Sequence, residues 1–85
     1  MRLRWTEPAL ADLIALADRA PAQAAAVVRA AEWLAQLHTP AIGRHVEGYG
    51  GLYWPVPPQG IAYTVEGGEV LIHAIHDARQ RREPW

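Results

Sequence analysis

The ten residues from His76 to Trp85 read HDARQRREPW and hold a histidine, three arginines and a closing indole. Histidine changes charge near neutral pH and can carry a proton. Arginine offers a planar fork of donors matched to phosphate or carboxylate. Trp85, or Tyr53 from elsewhere in the chain, could stack on a base beside such a cluster. Residue types alone leave three readings open. The segment is a nucleic-acid surface, an Arg- and Trp-rich patch for a protein, or a solvated chain end. Arg44 follows Gly43 at the entry to a strand-like region, and antiparallel neighbours could bring it toward Arg79, Arg81 and Arg82.

Other chemistries find less support. His73 and His76 stand three apart on a strand-like run, so simple alternation sends them to opposite faces. His38 and His45 lie in loop-like sequence, and cysteine is absent. A metal site is therefore not expected, and no cofactor is called for. No nucleophile elbow, Ser-His-Asp order or Gly-rich phosphate loop after a strand is visible, so no small-molecule substrate suggests itself. The glycines of "GYGG" read as turn residues. Asp12, Asp18 and Glu32 fall opposite apolar helix stripes and read as solvated, as do Glu66 and Glu69 beside a turn.

The 85 residues carry eight basic and nine acidic side chains, a net charge of −1. A free-standing nucleic-acid binder usually has a basic excess, and this chain does not. Every basic residue is Arg. No run is long and apolar enough to span a bilayer, and "MRLRWTEPAL" lacks the apolar stretch of an export signal. A cytoplasmic location and no membrane partner are expected. A chain of this size forms a single domain, 1–85, and buries only roughly 60–65% of its unfolded surface.

The elements that must position these groups can be read in order. "RLRW" alternates as a short strand. Thr6 reads as an N-cap, with Glu7 and Pro8 suited to a first turn, so a helix is expected from Glu7 to Arg19. Its apolar stripe would be Leu10, Leu13, Ile14 and Ala17. A second helix starts at Pro21, presents Ala24, Val27, Val28, Ala31, Leu34 and Leu37, and ends at Thr39-Pro40. The short connection makes an antiparallel helical hairpin. "IAYTVEGGEVLIHAIH" holds two strands around Gly67-Gly68, a two-residue turn. The class is α+β: a short N-terminal strand, then an antiparallel helical hairpin packed on a small, twisted, mainly antiparallel sheet.

These pieces together resemble the RelE/ParE superfamily of toxins from type II toxin–antitoxin systems, and the resemblance spans nearly the whole chain. It rests on "LRWTEPALADLIAL", with a strand, a Thr, an Ala and an Asp-Leu pair. It continues in "LHTPAIGR" at the helix end, and in "IAYTVEGGEVLIHAIHDAR", with a Tyr-x-Val strand, a turn and a closing His-x-x-Arg. The resemblance implies a helical hairpin on an antiparallel sheet. It also implies a cognate antitoxin whose flexible segment wraps the toxin, which suits a marginally stable partner with a large groove.

The superfamily divides by target: RelE-like members cut mRNA on the ribosome, and ParE-like members poison DNA gyrase. Cutting needs basic groups to hold the phosphate and stabilise charge as the 2′-hydroxyl attacks. If this chain cut RNA, the candidates would be Arg44, His76, Arg79 and Arg81. The chain departs from that pattern. Gly50-Gly51 stand where a subfamily has Arg-Glu, and Gly60 replaces an Arg common before "Ile-x-Tyr". Arg79, Arg81 and Trp85 match the spacing of an Arg-x-Arg-x-x-x-Tyr ending, but an indole cannot replace a phenol as proton donor. The expected function is a ParE-like growth inhibitor that binds gyrase through His76, Arg79, Arg81, Arg82 and Trp85. The alternatives are a RelE-like ribosome-dependent mRNA endoribonuclease, and a weakened toxin that only binds its antitoxin.

Overall fold

A computed structural model of the chain describes residues 1–45 and 51–77. Seven elements follow in order: β1 (Arg2–Trp5), α1 (Glu7–Arg19), α2 (Pro21–Gln36), β2 (Arg44–His45), β3 (Leu52–Val56), β4 (Gln59–Glu66) and β5 (Glu69–Asp77). The five strands form one sheet in the order β1-β5-β4-β3-β2, and the α1–α2 hairpin covers one face. β1 runs parallel to β5, with Leu3 beside Val70 and Trp5 beside Ile72, while the remaining pairings are antiparallel.

Local chemistry sets the boundaries. Thr6 is extended, and its Oγ1 accepts from Ala9 N at 3.2 Å, filling one of the donors that a helix start leaves open. Glu7 lies at the positive end of α1 and Arg19 at the negative end. α2 stops at Gln36, short of the expected Thr39-Pro40. Leu37 N bonds to Leu34 O at 3.2 Å, tightening the last turn. Beyond it Pro40 is buried, and its carbonyl accepts from the Tyr63 hydroxyl at 2.8 Å. That anchor draws the chain off the helix axis. Gly67 and Gly68 both have positive φ, 57° and 77°, as the tight β4–β5 turn requires.

The core is built from Ala9 and Leu16 of α1, Val27, Ala31 and Leu34 of α2, and Ile61, Tyr63, Val70 and Ile72 of the sheet. This corrects the expected phase of α1. Leu10 and Ile14 are 43% and 63% exposed, Ala17 is exposed, and of the predicted stripe only Leu13 packs against the core. Two apolar stripes overlap on this helix. The small side chain of Ala9 lets the backbone approach the sheet closely, and polar bonds from the same face hold that choice.

Those bonds explain a second correction. Asp12 was expected in solvent, yet its Oδ2 accepts from Ile75 N at 3.0 Å. β1 ends opposite Ile72, so β5 has no strand beside it from His73 onward on that side. Side chains of α1 and its cap take over the ladder: Thr6 Oγ1 donates to His73 O at 3.3 Å, and Asp12 receives the amide of Ile75. Glu69 also departs from the expectation of a solvated side chain. Its carboxylate meets Arg4 at 3.4 Å and Arg2 at 4.0 Å, across the β1–β5 pairing. Both arginines are largely exposed, so these contacts fix register more than they add stability.

Candidate functional site

Alternation along β3 separates two faces. Leu52 pairs with Tyr63 on the helix-covered side, so Tyr53, paired with Ala62, faces away from the helices. Arg44 is the partner of Tyr53 on β2 and shares that open face. Its guanidinium carbon lies 5.1 Å from the centre of the Tyr53 ring, a cation–π stack. The ring also crosses β4. A Cβ built on Gly60 would meet the Tyr53 ring carbons and hydroxyl, so glycine alone fits beneath it. Ala62 is fully buried on this open face, as a small residue under a cross-strand ring should be. Arg44, Tyr53, Trp54, Pro55 and Ile42 line a groove of about 510 Å³ at this edge of the sheet. Trp54 closes its other side on Trp33 of α2, with ring centres 5.5 Å apart and planes tilted by 34°.

The buried phenol of Tyr63 holds the approach to Arg44. Its hydroxyl donates to Pro40 O at 2.8 Å and accepts from Gly43 N at 3.0 Å. A Cβ on Gly43 would crowd Tyr53 O at 2.7 Å and this hydroxyl at 2.8 Å. Burial pushes the Tyr63 pKa above its ordinary 10.0, partly offset by hydrogen bonds with the backbone of Gly43 and Ile42.

Three strands away, His76 lies opposite Gly60 on β5. Arg44 and His76 are therefore not on neighbouring strands: β3 and β4 lie between them. Three inter-strand steps put their backbones roughly 14 Å apart. The expectation that adjacent strand ends would bring Arg44 toward the tail thus meets two intervening strands. The expected split of His73 and His76 also changes. β5 carries an extra residue where the register shifts at Ala62/Tyr63, and Ile72 and Ile75, three apart, both pack on the core. Three-apart residues on this stretch share a face. His73 Nε2 lies 2.9 Å from Thr64 Oγ1. Among the described residues no cluster of metal-ligating side chains occurs.

Arg79, Arg81, Arg82 and Trp85, together with Gly50, lie outside the described residues. The sequence reading missed Asp12, Gln59 and Tyr63. Asp12 and Gln59 meet His76 and Asp77 in a pocket where α1 ends against the sheet. The Asp-Leu pair was the available pointer to Asp12, but helical phase hid its direction. Among the described residues no helix is long and apolar enough to cross a membrane.

No protein-family model and no curated protein matches the chain. Among solved structures it is similar to a chain of the chromosomal ParDE TA system from P. aeruginosa. The two share 28% identity and a TM-score of 0.71, over 91% of this chain and 95% of that one.

Proposed function

We propose, from the premise that the chain has the RelE/ParE-type toxin fold, that it is the toxin of a type II toxin–antitoxin pair and acts by binding DNA gyrase. The similarity to a ParDE chain supports the toxin class. The observation that carries the binding mode is the Tyr53 ring over Gly60. The place from which RelE-like members project an arginine has no room for a Cβ. The Arg44 guanidinium is stacked on that same ring, and two strands separate it from His76. An RNA-cutting site needs its groups to converge on one phosphate at about 3–3.5 Å from reacting atoms. This spread supports a contact surface over a reaction centre.

In this reading His76, Arg79, Arg81, Arg82 and Trp85 form the gyrase contact, and a cognate antitoxin neutralises the toxin in the cytoplasm. The test is purified protein added to gyrase and relaxed plasmid, with total mRNA followed in cells that express the chain alone. Lost supercoiling with intact mRNA is the expected result. Normal supercoiling with fragmented mRNA reverses the reading in favour of the endoribonuclease. Neither effect, with antitoxin binding preserved, identifies a toxin that has lost its action.

A further inference from the structure

At the end of the sheet opposite the turn Gly67-Gly68, α1 leans over the last residues of β5 and the first of β4. A half-enclosed polar pocket of about 300 Å³ lies there, lined by Asp12, Arg19, Gln59, Ile75, His76 and Asp77. Gln59 is only 3% exposed, and its Oε1 has no hydrogen-bond partner among the described residues. A buried carbonyl left so is costly, and native proteins rarely keep one without a use. It stands beside two carboxylates against one guanidinium, that of Arg19 on the exposed last turn of α1. Asp12 already receives Ile75 N on Oδ2, and a carboxylate accepts more bonds than one. The lining therefore asks for donors, several at once and positively charged.

We propose that this pocket receives the guanidinium of an arginine carried by the bound antitoxin; the partner's identity rests on the toxin–antitoxin reading, the ligand chemistry does not. Guanidinium is favoured over ammonium because its donors lie in one plane and spread over a fork. That shape can reach the Gln59 carbonyl on β4 and the Asp12 carboxylate on α1 together. A compact ammonium must choose between them. The arginine would thus pin the antitoxin at the junction of α1 with the sheet.

The experiment titrates the full chain with N-acetyl-arginine amide and follows the side-chain amide signals of Gln59 by NMR. Saturable shifts are expected, with N-acetyl-lysine amide binding several-fold more weakly. Gln59→Met should weaken the arginine probe about tenfold, the worth of one charge-assisted bond. It should also fold at least as stably as the parent, because an unmatched polar atom has been removed. Asp12→Asn, which keeps an acceptor for Ile75, should weaken the probe as well. Unchanged binding in Gln59→Met, a marked loss of its stability, or shifts produced by inorganic phosphate instead would each overturn the proposal. So would binding seen only after Arg79, Arg81 and Arg82 are all changed to Gln, since the chain's own guanidiniums would then own the pocket. Probe binding by a chain that inhibits no growth would retain the guanidinium pocket and overturn the antitoxin as its source.

Discussion

Gly60→Ala, made in the parent and in Tyr53→Ala, measures how firmly the ring closes the position of the missing arginine. The backbone at Gly60 lies outside the left-handed region, so alanine meets no conformational penalty there. The cost arises only because the new methyl overlaps the Tyr53 ring. Forcing a group into an occupied site costs about 1–3 kcal/mol. Displacing the ring also gives up the Arg44 stack, worth about 0.5–1 kcal/mol at an exposed site. A loss of about 2–3 kcal/mol is expected in the parent, a fall in Tm of roughly 10–20 °C for a domain of this size. With Tyr53 already alanine the methyl enters open space. The substitution should then be neutral, or stabilise by up to about 0.5–1 kcal/mol, because glycine is a poor strand residue. Urea unfolding followed by tryptophan fluorescence on all four proteins gives the coupling energy directly. Equal costs in the two backgrounds, within about 0.5 kcal/mol, would refute the closed position and the argument against an arginine-dependent nuclease.

Tyr63→Phe strips the buried Pro40 carbonyl of its donor and Gly43 N of its acceptor, so a loss of about 2 kcal/mol is expected by denaturant titration. Because burial raises the Tyr63 pKa, its share of stability is whole below the unfolded value near 10.0 and disappears as pH climbs through the higher folded value. Alkaline unfolding curves should show that decline in the parent and lack it in Tyr63→Phe. Thr6→Ala removes both the α1 cap and the bond to His73 O, and should cost about 1–2 kcal/mol by thermal unfolding. Gly68→Ala, at a φ of 77°, should cost about 1–2 kcal/mol, and Gly68→Asn distinctly less.

How much was legible depended on whether the signal was local. The first strand, both bounds of α1 and the Gly67-Gly68 turn follow from alternation, a Thr cap, a Pro and a glycine pair, all of which act within a few residues. The phase of α1 does not, because Leu10 and Ile14 offer as good a stripe as Ala9, Leu13 and Leu16. Only the sheet it lands on, through Asp12 and Ile75, decides between them. The site was legible as residue types and not as distances. Gly60 stood out as a missing arginine, but its cover by Tyr53 depends on the β3–β4 register. The break in alternation at His73 is likewise set by pairing with β4, which no run of residues in β5 announces.

The parallel seam between β1 and β5 joins the first residues made to some of the last, with Arg2 lying against Glu69. During translation β1 therefore has no partner until the end of the chain emerges, and the hairpin of helices has no finished surface to rest upon. Assembly must be post-synthetic and nearly all-or-none, closed by contacts of long sequence separation that form slowly. A message interrupted before β5 yields no partly active fragment. In a cell that makes both polypeptides, that delay gives a ready neutralising chain time to be waiting when the fold completes.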